Sequence, residues 1–175
     1  MIETQRLKLR PLKHSDSDAF NVLFSDTEVM RSSIYGTKTQ EEVKEWLANQ
    51  IDSKHHSTGI ELLAVTCKST QVIIGYCGLA QFRNIGEADA KILEIGYRLI
   101  RKYWGYGYAT EAATAVRDYA FNELSITRLV ALIEPINERS IGVAKRIGMS
   151  YEKDIMLDGY DHPDHLYTMS NNAYK

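Results

Sequence analysis

Apolar and polar residues alternate with two different periods along the chain, and these periods predict its strands and helices. An alternating run over residues 6–12 predicts a half-buried strand. Ser15 and Asp18 form a cap-like pair before a short predicted helix. Thr39 and Glu42 form a clearer capping box, and apolar residues follow them at helical spacing. The first part of the chain is therefore predicted to be one strand and two helices.

The middle of the chain changes to a pattern typical of strands. Residues 61–67 and 72–82 are apolar and flank a polar turn, which predicts a β-hairpin. Gly75 and Gly78 weaken the second of these strands, because glycine is unfavourable inside a strand. Residues 92–100 predict another strand.

Helices and strands then alternate to the end of the chain. A helix is predicted from about residue 109 to 124, with a face of small alanines that would let it lie close to a sheet. Residues 128–133 form a short, continuous apolar run, which is typical of a strand buried on both faces. A helix over 137–147 is expected to end at Gly148, and extended segments follow at 150–157 and 164–170.

The order of these elements predicts the fold class. Residues 92–133 form a strand–helix–strand unit, which implies two parallel strands joined by a right-handed crossover. The remaining strands are expected to be antiparallel. We therefore predict a single α/β domain over residues 1–175, with a mixed, mostly antiparallel sheet and helices on both faces.

Composition and sequence pattern argue against several classes of function. The chain has 175 residues and a net charge of −2, so it lacks the basic excess of a general nucleic-acid binder. It has no apolar run long enough to predict a transmembrane helix, and its first residues do not resemble a signal peptide. Cys67 and Cys77 cannot form a zinc set and are predicted to be small buried hydrophobes, as expected for a reduced, cytoplasmic setting.

The strongest chemical signal is the stretch WGYGYATE at residues 104–111. Gly105 and Gly107 lie between a predicted strand and a helix, where unpaired N–H groups and the helix dipole favour a phosphate or pyrophosphate. A plain tight turn is the alternative. A dinucleotide site is a further alternative, and Glu134 could be its acidic residue. That fingerprint expects glycine or alanine where Thr110 stands, and its usual half-domain cannot be drawn after Glu134.

Four segments together resemble the GNAT N-acetyltransferases, and specifically their RimJ/RimL-like branch. They are residues 4–12, 94–99, 103–112 and 137–149. The resemblance covers most of the chain and implies that acetyl-coenzyme A donates an acetyl group to an amine. It implies direct transfer in a ternary complex, without a metal. A coenzyme-binding sensor or interaction module without catalysis is the alternative from another class.

The resemblance also implies residues that hold the coenzyme. The backbone of Leu99 and Ile100 would bond the pantetheine arm, Asn137 would lie near its sulfur, and Lys145 and Arg146 could reach its phosphates. A solvated helix face is the alternative for the last two. The loop that wraps the pyrophosphate would comprise Trp104, Gly105, Tyr106, Gly107, Tyr108 and Ala109, with Thr110 following. Trp104 departs from the general family pattern.

Two residues are predicted to move protons. Glu94 is the candidate general base, because a carboxylate inside an apolar strand has its pKa raised toward neutrality; an ordinary carboxylate at a sheet edge is the alternative. Alignment with the family puts Ala144 where a tyrosine usually protonates the leaving thiolate. Ser140 is the nearest polar substitute, and Tyr106, Tyr108 or solvent could also serve.

The acceptor is expected to be a protein N-terminus or a small-molecule amine. The resemblance indicates that its pocket is formed by the loops at 31–38 and 158–166. His162 and His165 are not expected to share a metal ion, because residues three apart in an extended segment point to opposite faces. His55 and His56 are predicted to be loop residues. A homodimer is expected by analogy.

Overall fold

A computed structural model describes residues 1–52, 61–81 and 92–171 of the chain. The predicted loop histidines His55 and His56 and the end of the predicted strand at Phe82 lie outside these residues. The strands are β1 (Ile2–Glu3), β2 (Leu7–Pro11), β3 (Leu62–Cys67), β4 (Ile73–Gln81), β5 (Ile92–Leu99), β6 (Arg128–Ile133), β7 (Ser150–Ile155) and β8 (Asp164–Ser170). The α-helices are α1 (Ser17–Ser25), α2 (Gln40–Ile51), α3 (Tyr108–Asn122) and α4 (Glu138–Arg146).

All eight strands of the described residues form one sheet in the order β1-β2-β3-β4-β5-β6-β8-β7. Only β5 and β6 pair in parallel among these neighbours, and the other pairs are antiparallel. The connection between the parallel pair contains α3, as the strand–helix–strand pattern predicted. The predicted mixed, mostly antiparallel α/β fold is therefore confirmed.

Successive side chains of a strand point to opposite faces of the sheet, so this sheet has two faces to cover. Helices pack on both of them. On one face, Ala112 and Ala113 of α3 pack with β-strand side chains such as Leu93 and Ile95. On the other face, Phe20 of α1 lies in a separate cluster with side chains of α2. The small alanines bring α3 close to the sheet, as the sequence predicted.

Two local features differ from the sequence predictions. The two-residue strand β1 was not predicted, because it is too short to show a period. The chain before α1 forms a 3-10 turn over His14–Asp16 instead of the predicted cap between Ser15 and Asp18. The buried carboxylate of Asp16 accepts hydrogen bonds from both terminal nitrogens of Arg10 at 2.8 Å, so a contact with the end of β2, six residues earlier, fixes this turn. The capping box of Thr39 and Glu42 is confirmed.

Strands β5 and β6 separate soon after they begin to pair. Their register joins Ile92 to Arg128 and Glu94 to Val130, and it extends no further. The remaining residues of β5 stay paired with β4 as far as Leu99. A wedge-shaped gap therefore opens between β5 and β6 in the middle of the sheet.

Both cysteines are buried, as predicted. The Cys67 thiol also contacts the Ser69 hydroxyl at 3.3 Å, and this hydrogen bond lowers the pKa of Cys67 to about 7 although burial opposes the shift. Burial raises the pKa of the Cys77 thiol.

Within the described parts of the chain, no helix combines the length and the apolar character needed to cross a membrane.

Candidate active site

A cleft of about 1570 Å³ follows the gap between β5 and β6. It is larger than the roughly 300–1,000 Å³ typical of small-molecule pockets. Its walls come from β5, the loop after it, the start of α3, the end of β6 and α4. This volume suits a long ligand that passes through the gap and meets a second molecule on the other side.

The exposed backbone of β5 forms one edge of the gap. The Ile100 N–H donates to the Ile74 carbonyl of β4 at 2.8 Å, and the Ile100 carbonyl accepts from the Tyr103 N–H. Because backbone groups alternate along a strand, those of Leu99 and Tyr97 point toward β6. The backbone of Leu99 can therefore contact a ligand in the gap, as predicted. The backbone of Ile100 is already bonded within the protein, so Tyr97 is the better candidate for the second contact. The sequence could not distinguish these residues without the register.

Trp104 connects the end of β5 to the loop and to α4. Its indole N–H donates to the Leu99 carbonyl at 2.8 Å. The guanidinium of Arg139, in the first turn of α4, lies 4.6 Å from the Trp104 ring centre. The residue that departs from the family pattern therefore closes off one carbonyl of β5 and joins two walls of the cleft.

The glycine loop has the geometry of an anion site. Gly105 and Gly107 adopt φ angles of 84° and 78°, in the left-handed region that favours glycine. Gly107 is the N-cap of α3, and no side chain caps the N–H groups that follow it. The first turn of the helix, with Tyr108, Ala109 and Thr110, lines the cleft. Unpaired N–H groups and the positive end of the helix dipole therefore face this part of the cleft.

An ion pair that the sequence analysis missed supports this loop. The Arg6 guanidinium lies 2.6 Å from the Glu111 carboxylate and donates to the Tyr106 carbonyl at 2.9 Å. Thr4 donates to the same carboxylate at 2.6 Å. Burial works against ionisation of Glu111, but these hydrogen bonds hold its pKa below the usual value. These three residues lie in the segments that resemble the GNAT family, but their spacing along the chain does not indicate a contact.

The start of α4 forms the opposite wall. The Asn137 side chain accepts a hydrogen bond from the Ser140 N–H at 3.1 Å, so Asn137 caps the helix and also lines the cleft. The Tyr97 phenol donates to the Ser140 carbonyl at 3.0 Å. Burial raises the pKa of Tyr97, which keeps the phenol protonated. Ala144, at the position of the family's tyrosine, is fully buried.

The two basic residues near the end of α4 differ in position. Arg146 lines the cleft and lies over Gly142, where a side chain would come within 3.2 Å of the guanidinium. Lys145 is exposed and does not belong to the described cleft wall. The predicted phosphate contact therefore fits Arg146 better than Lys145.

Glu94 lies on the face of β5 turned toward α1 and α2, together with Arg98. Burial raises the pKa of Glu94 to about 7, and the charge of Asp164 adds to this rise. Gly96 lies between these residues on the strand, and a side chain there would meet no other atom within 4 Å. Glu94 therefore lines an open part of the cleft and can exchange a proton near neutral pH.

Glu134, His162 and Asp164 meet at the other side of this space. The His162 Nε2 atom lies 3.7 Å from Glu134 Oε1 and 3.7 Å from Asp164 Oδ1. His162 also contacts Asp161 through Nδ1, whereas His165 contacts Asp154 instead. The two histidines thus have different partners, and the described residues contain no group of side chains arranged to hold a metal ion.

The two loops predicted to bind the acceptor approach each other across the cleft. Arg31 and Ser32 from the first loop and Tyr160 from the second line its wall. A smaller cavity of about 380 Å³ adjoins it, and Tyr35 and Tyr160 both line that cavity. The structure therefore brings together segments that the sequence separates by more than a hundred residues.

Comparisons with known proteins agree with this geometry. Residues 6–150 match the family described as "Acetyltransferase (GNAT) domain". YkkB of Bacillus subtilis (strain 168) is 39% identical over 156 residues, which cover 87% of this chain and 86% of YkkB. Spermidine N(1)-acetyltransferase of Escherichia coli (strain K12) is 26% identical, covering 89% and 79% of the two chains. A GNAT-family acetyltransferase from Bacillus anthracis superposes with a TM-score of 0.84 at 25% identity, covering 97% of each chain.

Proposed function

This chain belongs to the GNAT acetyltransferase family, and we propose that it acetylates a primary amine by direct transfer from acetyl-coenzyme A in a ternary complex. The observation that carries this proposal is the gap between β5 and β6, with the glycine loop at one end and Glu94 beside it. The alternative of a dinucleotide-dependent oxidoreductase is wrong, because the family match covers residues 6–150. The RimJ/RimL-like branch, the homodimer and the cytoplasmic setting stay predictions.

The residues around the gap fit coenzyme A. The open N–H groups at the start of α3 suit a pyrophosphate, and Arg146 adds a positive charge. The gap-facing backbone of Tyr97 and the N–H of Leu99 suit the amide groups of a pantetheine arm, while the Leu99 carbonyl is bonded to Trp104. Acetyl-coenzyme A supplies an acetyl group activated as a thioester.

Glu94 is the proposed general base. An amine reacts only after it loses its proton, and a carboxylate with a pKa of about 7 can accept that proton at neutral pH. The space above Gly96 leaves room for the acceptor or for a bridging water. Burial, which makes ionisation of Glu94 costly, also tunes it for this role.

Two hydroxyl groups are candidates for the proton donor that the reaction needs at the sulfur. Ser140 is the residue predicted from the sequence, and it lies in the first turn of α4 beside the cleft. Tyr97 is added by the structure, because its phenol reaches the same turn from β5 and remains protonated. Tyr97 is therefore the second candidate for the role of the tyrosine that the family usually carries where this chain has Ala144.

A thiol-release assay with acetyl-coenzyme A, small amines and N-terminal peptides tests this function. Gly107→Glu should abolish turnover, because a carboxylate and a strained φ of +78° would then occupy the pyrophosphate site. Gln71→Glu is the matched control, because Gln71 also has a positive φ and lies in an exposed turn outside the cleft. Loss of turnover in both variants, or in neither, would contradict the assigned loop. Coenzyme binding without turnover on any amine would support the sensor alternative.

A further inference from the structure

Glu134, His162 and Asp164 carry polar atoms that are buried without hydrogen-bond partners. Asp164 is only 5% exposed, and its Oδ1 atom has no partner. The same is true of Glu134 Oε2 and His162 Nε2. The contacts of 3.7 Å among these groups are too long to be hydrogen bonds. A buried carboxylate oxygen without a partner is costly, so a hydrogen-bond donor placed here would be stabilising.

Two of these three residues line the acceptor side of the cleft. Glu134, Asp164, Glu94 and Tyr160 all line it. Burial raises the pKa of Asp164, with a further rise from Glu134, while His162 and His165 lower it. Asp164 in turn raises the pKa of Glu94, so its charge is felt at the proposed base. The carboxylates therefore surround one connected space.

The two nearby arginines are directed to partners outside this cluster. The Arg98 guanidinium is directed to the Met30 sulfur at 3.2 Å. Arg31 lies across the cleft from the cluster and 3.9 Å from Glu28, three residues earlier in the chain. The His162 Nε2 atom stays 3.7 Å from both Glu134 and Asp164, and its Nδ1 atom is already bonded to the exposed carboxylate of Asp161 at 2.7 Å. The cluster thus keeps an excess of carboxylates over cations.

We propose that Glu134 and Asp164 bind a second ammonium group of the acceptor, so that the substrate is a diamine or polyamine. This inference rests on the proposed acetyltransferase function. One amine of the substrate lies near Glu94 and loses its proton, and the other stays charged between Glu134 and Asp164. Ammonium groups carry three donors and satisfy the unpartnered oxygens.

A protein N-terminus fits this space less well. Its reactive nitrogen is followed by a neutral amide, whose single uncharged N–H donor serves two carboxylates less well than the three donors of an ammonium group. A monoamine would leave the same oxygens without a partner. The acceptor side of the cleft therefore favours two separated positive charges over one.

Kinetics with matched amines test the proposal. Diaminobutane, diaminopentane and diaminohexane are compared with butylamine, pentylamine and an N-terminal peptide at saturating acetyl-coenzyme A. We expect kcat/KM for at least one diamine to exceed that of its monoamine about tenfold or more, as for a charged hydrogen bond gained on binding. The best chain length reports the separation between the two sites.

Variants locate the second ammonium. Glu134→Gln and Asp164→Asn should each raise KM for the best diamine about tenfold and leave KM for the monoamine nearly unchanged. Glu45→Gln and Asp52→Asn remove the same charges at exposed positions of α2 and its end, and they should change neither constant. If Asp164→Asn does not fold, Glu134→Gln alone tests the second ammonium site.

Binding of diaminobutane to the coenzyme complex, measured by calorimetry, separates this inference from the proposed function. Binding that weakens in Glu134→Gln supports the diamine site even if no acetyl transfer occurs. Acetylation of peptides without any preference for diamines, or equal diamine binding in Glu134→Gln and Glu45→Gln, would overturn the inference while leaving the acetyltransferase function intact.

Discussion

The Nε atom of Arg6 lies 2.6 Å from a carboxylate oxygen of Glu111, although 105 residues separate them in the sequence. This contact joins the segment before β2 to the first turn of α3. Arg6 also donates to the Tyr106 carbonyl and lies 4.5 Å from the ring centre of Tyr108. The shape of the glycine loop therefore depends on a residue far from it in the sequence.

Removal of this contact should weaken coenzyme binding. In Arg6→Ala and Glu111→Gln the loop loses its external support, and we expect Kd for coenzyme A to rise about tenfold, as for a lost charged hydrogen bond. Calorimetry measures Kd, and Lys8→Ala removes a positive charge from β2 as the control. A Kd equal to that of the unchanged protein would show that the loop keeps its shape without Arg6.

The pH dependence of the rate should follow Glu94. Its pKa is raised to about 7 by burial, so the fraction present as the carboxylate, and with it kcat/KM, should rise as pH increases through about 7. Glu94→Gln should lower kcat/KM by about a hundredfold or more and remove this inflection. The measurement is a pH profile at saturating acetyl-coenzyme A. An unchanged inflection in Glu94→Gln would assign it to another group.

As pH rises through about 7, the ionisation of Glu94 should increase activity but decrease the stability of the fold. The folded-state pKa of Glu94 lies above its ordinary value of 4.5, so its ionisation opposes folding as pH rises from about 4.5 to about 7. Glu94→Gln removes this cost, and its Tm should exceed that of the unchanged protein by roughly 7–14 °C at pH values above about 7. The difference should shrink toward pH 4.5. Thermal unfolding at several pH values tests this, with Glu45→Gln expected to show no such trend.

Tyr97 offers a test of the proton donor. Tyr97→Phe keeps the ring but removes the hydroxyl that reaches Ser140, and we expect kcat to fall about a hundredfold with little change in Kd for coenzyme A. Tyr151→Phe is the matched control, because Tyr151 is exposed and its phenol bonds to Asp154 outside the cleft. A normal kcat in Tyr97→Phe together with a low kcat in Ser140→Ala would assign the donor to Ser140.

Local sequence signals predicted most of the fold. The apolar run at 128–133 became β6 with the same bounds, and the extended segment at 164–170 became β8. Asn137 caps α4 as its side-chain chemistry required. Gly105 and Gly107 adopt the left-handed conformations that made them noticeable in the sequence. These features depend on residues close together along the chain, so short patterns are sufficient to predict them.

The tertiary structure decided the contacts between distant segments. The sheet register directs the backbone of Tyr97 toward the gap and that of Ile100 away from it, and a shift of one residue would reverse the two. The meeting of Glu134 with Asp164 depends on the adjacent ends of β6 and β8. The sequence by itself determined the strands other than β1, the helices and the conformation of the glycine loop, because local periodicity and glycine conformation specify them. Only the packing of the sheet decided which carboxylates, hydroxyls and backbone groups share the cleft, because their contacts join residues with no fixed spacing along the chain.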